Sequence, residues 1–446
     1  MQEKTIKGFS KLSKEEKLDW VSSFFEGATE VKSDFQLFWQ TDSALQKTLD
    51  GFSENTISNY VLPYGVAPNF LIDGEHYTIP MVIEESSVVA AASSAAKYWL
   101  SRGGFHTEIV DVIKLGQVHF LWPGNINTLK AVLPELEKAM RKDAAEITAN
   151  MEKRGGGIDG IELKDFSAEE PDYYQFLVRF TTCDSMGANF INSVLESFAK
   201  TLKIFFATHS AFEEKERDVN IIMAILSNYT PECLVRAWVE CDIKDVGYDG
   251  GDYPSDYFAK KFYTAVRIAR IDPYRATTHN KGIMNGIDAV VLATGNDFRA
   301  IEASCHTHAA RDGKYRSLST CSIEDSRFKF SLEVPLALGT VGGLTKLHPL
   351  AKRSLEMLGN PSAETLMRIV AAMGLAQNFA AVRSLVTTGI QQGHMKMHLQ
   401  NILNHFNATS SEAELAVKFF EKNTVSFVAV RHFLENLRSS VVKQSA

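Results

Sequence analysis

Residues 271–297, IDPYRATTHNKGIMNGIDAVVLATGND, crowd Arg275, His279, Lys281, Asn285, Asp288 and Asp297 among glycines and apolar residues. Surface helices rarely spend polar groups that way. A lysine held near carboxylates in a partly dry site can serve as electrophile for a carbonyl oxygen. In one straight helix, Lys281 and Asp297 would lie about 24 Å apart on nearly opposite faces. The Gly295-Asn296-Asp297 turn signal predicts a break that returns the carboxylate to the lysine. A second acidic candidate is the Glu84-Glu85 pair, which opens an alanine-rich segment after Pro80 and before Gly103-Gly104. That segment, 84–102, predicts a helix with both carboxylates in its first turn. The pair could simply complement the helix dipole, or it could carry chemistry; the residues alone leave both readings open.

The elements that must position these groups follow from periodicity. The first 50 residues read as helices with exposed charge, followed by a loop. Between about 112 and 228 the pattern changes to strand 117–122, a long helix 125–154 ending at Gly155-Gly156-Gly157, strands 158–166 and 173–183, helix 185–207 and strand 219–227. The order β-α-β-β-α-β is the ferredoxin-like split arrangement. The first of these strands is not followed by GxGxxG, which excludes a Rossmann reading. Beyond 230, an amphipathic helix 253–271 leads into the polar stretch. An apolar strand runs from Glu333 into the Gly339–Gly343 turn, and a long helix 363–388 carries Gln377 and Asn378. Two or three amphipathic helices are expected over 395–446.

Composition sets outer limits. The chain has 446 residues, 45% apolar and 23% charged, with net charge −7, enough for two or three domains and with no bias towards nucleic acid. The polar termini predict no signal peptide, and no run approaches the ~18 apolar residues of a membrane span. Five scattered cysteines with no CxxC pair suit a reducing cytosol. Cys305-His306-Thr307-His308 lacks a second cluster, so no metal site is expected.

Six ordered motifs resemble those of the 3-hydroxy-3-methylglutaryl-CoA reductases, in particular the soluble bacterial class. Glu54-Asn55-Thr56-Ile57-Ser58 is similar to the family's ENVIG motif, differing at its third and fifth positions, and Leu62-Pro63-Tyr64-Gly65-Val66-Ala67 follows it. The segment from Val82 to Ala92 resembles the catalytic-glutamate segment. Asp184-Ser185-Met186-Gly187-Ala188-Asn189 resembles the DAMGAN/DAMGMN cofactor motif, with Ser185 for alanine. The signature around Lys281, the Gly339–Gly343 turn and Gly389-Ile390-Gln391-Gln392-Gly393-His394-Met395 complete the series.

The resemblance implies an α+β protein: a large, mainly helical substrate-binding and dimerisation domain (1–111 and 229–390), an inserted ferredoxin-like NAD(P)-binding domain (112–228) and a C-terminal helical flap (391–446). It implies two successive hydride transfers that interconvert HMG-CoA with mevalonate and coenzyme A, within isoprenoid metabolism. Lys281 would stabilise the oxyanion. Glu85 would give a proton to the aldehyde oxygen, its pKa raised by burial and by a neighbouring Asp297. Asp297 would orient Lys281, the three titrating as one system. His394 would protonate the departing thiolate. Arg275 would clamp the substrate's terminal carboxylate, with Asn285 and Ser87 as further substrate contacts and His279 structural. Asp184, Met186, Gly187, Ala188, Asn189 and Asn228 would meet the cofactor, the motif turn offering helix N–H groups to a pyrophosphate; an ordinary N-cap by Asp184 or Ser185 is the plainer reading of that junction.

Cofactor choice rests on charge near the adenosine ribose. NAD-preferring relatives carry an aspartate seven residues before the glycine triplet; here that position is Thr148. Lys142, Lys153 and Arg154 lie nearby, as do Asp143, Glu146 and Glu152, and the balance leans to NADPH. No metal is implied. A homodimer with its active site at the subunit interface, in the cytoplasm, is the expected assembly. Two alternatives stand beside the reductase: a reductase of a different acyl-CoA, and a non-catalytic CoA- or nucleotide-binding regulator on the same scaffold.

Overall fold

Three short helices open the chain, α1 (Lys14–Ser22), α2 (Ala28–Gln36) and α3 (Ser43–Asp50). The computed structural model describes residues 4–247, 254–387, 399–420 and 423–444. Ser13 and Glu16 cap α1 reciprocally, and Asp42 caps α3, so sequence-local signals fix both starts. After a loop come the antiparallel strands β1 (Tyr64–Ile72) and β2 (Glu75–Val82), then α4 (Val88–Leu100) and β3 (His106–Ile109). The helix begins at Val88, later than expected. Glu84 and Glu85 therefore lie in the preceding turn, and neither occupies the first helical turn.

Next come β4 (Lys114–Leu121), α5 (Ile126–Asp143), α6 (Ala145–Glu152), β5 (Gly157–Asp165), β6 (Tyr173–Thr181), α7 (Ala188–Thr208) and β7 (Asn220–Leu226). These strands form one antiparallel sheet in the order β5-β6-β4-β7. Alternation aims Val118, Phe120, Phe176, Val178 and Phe180 inward against Leu129, Leu136, Leu195 and Phe198. Each such side chain contributes about 1.5–3 kcal/mol by burial, so Phe176→Ala would cost about 3–5 kcal/mol. The single long helix expected here is broken at Ala144, where Asp143 turns to accept from Thr201 Oγ1 on α7 at 2.7 Å.

The rest of the large core is built from β8 (Leu234–Asp242), α8 (Ser255–Ile271), α9 (Pro273–Ala293), α10 (Phe298–Ala309), β9 (Ser319–Glu324), β10 (Arg327–Pro335), α11 (Leu344–Leu347), α12 (Pro349–Met357) and α13 (Ala363–Val386). Its sheet has the order β3-β8-β10-β9, all antiparallel. The strand expected to reach the glycine turn stops at Pro335, which has no N–H to continue the ladder. Helix α13 is apolar and long enough to cross a membrane, but 78% of its apolar window is buried in this core. It packs directly on α9: a Cβ on Gly286 would stand 2.8 Å from Gln377 Cβ and 2.9 Å from the Met373 carbonyl. That close approach fixes the helix bearing Lys281.

A third apolar cluster gathers Leu399, Ile402, Leu403, Ala416, Phe420, Val430 and Leu434 from residues 399–405, which are helical, and the helices Ser410–Phe420 and Phe427–Gln444.

Candidate active site

Glu85 is the meeting point of the site. The β2–α4 turn delivers it, half-buried, to the exposed flank of α9. Lys281 Nζ donates to Glu85 Oε2 at 2.9 Å and Asn285 Nδ2 to the same oxygen at 3.4 Å. Ser87 Oγ donates to Glu85 Oε1 at 3.3 Å. Lys281 and Asn285 stand one helical turn apart and so share a face. The pair is open to solvent, with side-chain exposures of 63% for Lys281 and 34% for Glu85. An ion pair so exposed is worth at most about 1 kcal/mol of stability, so the fold gains little from it.

Asp297 does not join this group. The chain does break after α9, as the glycine signal predicts, but Asp297 becomes the N-cap of α10. Its Oδ1 accepts from the Arg299 and Ala300 amides at 3.1 and 3.2 Å and pairs with Arg299 Nη2 at 3.2 Å. Two unpaired amides at a helix start compete well for a carboxylate. Asn296 ties the same turn to the segment after β10 by accepting from Gly339 N at 2.8 Å. Arg275 is half-buried, which holds its pKa below the usual guanidinium range, and its side chain makes no hydrogen bond or ion pair among the described residues. It lies on the α9 flank next to that of Asn285. His394, with the glycine-bounded segment around it, lies outside the described residues.

His279 is buried beneath this surface. Ser319 Oγ donates to Asn378 Oδ1 at 2.8 Å, so the 2.6 Å contact from His279 Nε2 to Ser319 Oγ requires the ring to donate. Burial, then the nearby Arg275 charge, lowers the His279 pKa to about 3. The residue is thus a neutral strut between α9, β9 and α13. Asp288, one turn beyond Asn285, has a buried oxygen with no hydrogen-bond partner; burial and the neighbouring Glu302 push its pKa up to about 8.

Most of the expected cofactor residues lie elsewhere in the chain, at the β6–α7 junction, with Asn228 just after β7. Helix α7 starts at Ala188, so neither Asp184 nor Ser185 is its cap. The N-cap is Gly187 at φ 87°, without a side-chain cap; the positive φ suits glycine, and among the described residues no side chain caps the first amides of α7. Asp184 is turned instead towards α13 and the segment before α11. Its carboxylate accepts from Ala363 N at 2.8 Å, and its carbonyl accepts from Thr340 N and Val341 N at 2.8 and 3.3 Å. Met186, Ala188 and Asn228 line one small cleft with Lys114, Thr230 and Ser304. Asn189 is exposed beside it. Thr148 is buried, so the position seven residues before the triplet cannot face a ribose.

Lys114 and Thr230 are functional candidates that the sequence reading passed over. A signal existed: Lys114 is in phase with Gly116, Val118 and Phe120, the inward face of β4.

A family model described as hydroxymethylglutaryl-coenzyme A reductase matches residues 13–399. A 3-hydroxy-3-methylglutaryl-coenzyme A reductase from Archaeoglobus fulgidus is 38% identical over 437 residues, covering 97% of this chain and 95% of the relative. A probable one from Borreliella burgdorferi is 31% identical, covering 93% and 94%. The solved 3-hydroxy-3-methylglutaryl-coenzyme A reductase of Streptococcus pneumoniae is similar at 34% identity and TM-score 0.70, covering 97% of this chain and 100% of that one; a class II structure from the same organism is bound to NADPH in open conformations. The family model, the relatives and the similar structures define an oxidoreductase. The chain belongs to the hydroxymethylglutaryl-coenzyme A reductase family.

Proposed function

We propose that this protein interconverts HMG-CoA with mevalonate and coenzyme A through two hydride steps, as an enzyme of cytoplasmic isoprenoid metabolism. The observation that carries the reading is the convergence of Lys281, Asn285 and Ser87 on Glu85, in a chain of this family. Family membership favours it over a reductase of another acyl-CoA and over a non-catalytic regulator.

In this reading Lys281 donates to the thioester carbonyl oxygen and stabilises the negative charge that develops there. Glu85, oriented by Lys281, Asn285 and Ser87, is the acid that passes a proton to the same oxygen when the aldehyde is reduced. Arg275, whose guanidinium has no protein partner among the described residues, receives the substrate's free carboxylate. Asp297, now an N-cap, joins Lys281 and Glu85 when the site closes. His394 protonates the leaving thiolate.

The nicotinamide cofactor, when bound, supplies the hydride. The β6–α7 junction fits such a group: the α7 amides carry no side-chain cap, Gly187 brings no Cβ, and Met186, Ala188 and Asn228 line the adjoining cleft. We assign these residues, with Asn189, to cofactor binding, and Asp184 to holding the turn. NADPH is the proposed preference. Cys183 Sγ donates to the Arg154 carbonyl at 3.3 Å, so exposed Lys153 and Arg154 flank the motif turn. The inserted unit is read as a ferredoxin-like cofactor domain and the C-terminal helices as a flap.

A homodimer is supported by the surface of the single chain. It leaves Tyr60 92%, Tyr274 86% and Leu37 78% exposed, apolar side chains that a subunit interface would cover.

The test is nicotinamide absorbance with purified protein and HMG-CoA, offering NADPH and NADH in parallel. Two cofactors oxidised per HMG-CoA, with mevalonate formed, is the expected result. No oxidation by folded, dimeric protein would overturn the reading.

A further inference from the structure

Lys114 stands at the start of β4 on its inward face and is only 5% exposed. An ammonium taken out of water is costly unless its N–H groups are matched. Two of the three are: Lys114 Nζ donates to Thr182 Oγ1 at 2.6 Å and to the Ser185 carbonyl at 2.7 Å. Burial lowers its pKa, against the opposing pull of Cys233, Cys183 and Asp184. A methionine would fill that volume without the desolvation penalty, so the charge must do something local.

What it holds is the turn that leads into α7. This turn is tightly wound. Cys183 has φ 49° and Gly187 φ 87°. Ser185 N and Ser185 Oγ both donate to the Thr182 carbonyl, at 3.1 and 2.9 Å, and Thr182 Oγ1 donates to the Ser185 carbonyl at 2.7 Å. The large domain grips Asp184 from outside through Thr340, Val341 and Ala363, while Lys114 grips Thr182 and Ser185 from within. The ammonium's third N–H has no acceptor among the described residues. Thr230, 2% exposed, lines the same cleft as Lys114, Met186 and Ala188, and its hydroxyl oxygen is buried without a hydrogen-bond partner among the described residues.

We propose that Lys114 is a positioning residue for the nicotinamide cofactor: its ammonium locks the Thr182–Gly187 turn so that Met186, Ala188 and the α7 amides face the bound molecule, and its spare N–H and the Thr230 hydroxyl receive a polar group of that molecule. The inference rests on the cofactor site assigned above.

The experiment uses the full-length protein with Lys114→Met and Lys114→Gln. Nicotinamide fluorescence gives the Kd for NADPH and NADH without HMG-CoA, and steady-state rates give KM and kcat. Loss of charged hydrogen bonds at the turn is expected to raise cofactor Kd and KM about tenfold or more in Lys114→Met. HMG-CoA KM should stay within about twofold, as should kcat at saturating cofactor, because the Glu85–Lys281 pair is untouched. Lys114→Gln, which keeps one donor, should fall between. A folded variant with wild-type cofactor Kd would overturn the proposal. Wild-type protein labelled at lysine Cε gives a second readout that needs no folded variant: the Lys114 resonance should shift in step with cofactor saturation, and a signal indifferent to saturating cofactor would also overturn it. Wild type that binds neither cofactor would instead sink the functional reading itself.

Discussion

Lys281 and Glu85, 196 residues apart in sequence, meet at 2.9 Å because α4 starts only at Val88 and so leaves Glu85 in a turn facing α9. Had α4 begun at Glu84, the carboxylate would have complemented the helix dipole and been held along that helix. The turn frees it, and Ser87 and Asn285 then fix it from two further sides.

Lys281→Met should therefore separate catalysis from stability. The exposed pair contributes at most about 1 kcal/mol, so the melting temperature should move by no more than about 2 °C. Losing the oxyanion donor should lower kcat by about 10²–10³-fold, with little change in HMG-CoA KM. Circular-dichroism melts and initial rates on one preparation check both halves. An active variant would remove Lys281 from the chemistry.

Asp297→Asn tests whether the carboxylate does more than cap α10. Asparagine caps as well as aspartate, so the melting temperature should be unchanged. If Asp297 joins Lys281 and Glu85 during turnover, kcat should fall by about 10²-fold or more. Wild-type kcat in Asp297→Asn would leave the residue a helix cap and nothing else.

Much of this was legible from residue order. Period-2 alternation in 173–181 and the glycine-bounded segments marked the inserted sheet, and RATTHNKG marked the lysine. What could not be read was set by tertiary competition. Asp297 had a lysine and two backbone amides to choose between, and only the packed start of α10 decides it. Thr148 was placed by counting along one helix, but the break at Ala144, made by Asp143 reaching for Thr201, puts that residue in the interior. Asp184 is expected at the cofactor because its motif resembles the family's cofactor motif; the partner of its carboxylate, Ala363 N, comes from an element 179 residues away.

The Asp288 carboxyl should give stability a pH slope of known sign. Burial, then Glu302, raises its folded pKa to about 8, well above the unfolded carboxyl range near 4. Between those values the unfolded chain has lost the proton and the folded one keeps it. The stabilising contribution is therefore complete below about pH 4 and is lost progressively as pH rises through about 8, by roughly 1 kcal/mol per pH unit at the steepest. Glu302 and Cys305 are the titratable groups beside it. Asp288→Asn should remove most of this slope, gaining on wild type as pH rises from 5 to 8 in denaturant titrations. Parallel curves for the two proteins would show that Asp288 is ionised in the fold.

Cofactor choice can be argued to a number through Lys153 and Arg154. The Cys183 contact to the Arg154 carbonyl seats the end of α6 against the motif turn, and both basic side chains are exposed there. A ribose phosphate near that turn would meet guanidinium and ammonium donors, whereas an unphosphorylated ribose would need neither. The double variant Lys153→Glu, Arg154→Glu should raise the KM for NADPH by about tenfold or more, while the KM for NADH changes by less than about twofold. Because charge is the lever, the NADPH penalty should shrink as salt is raised. Equal effects on both cofactors would mean that the two residues support the turn without reading the phosphate, and would overturn the proposed preference for NADPH.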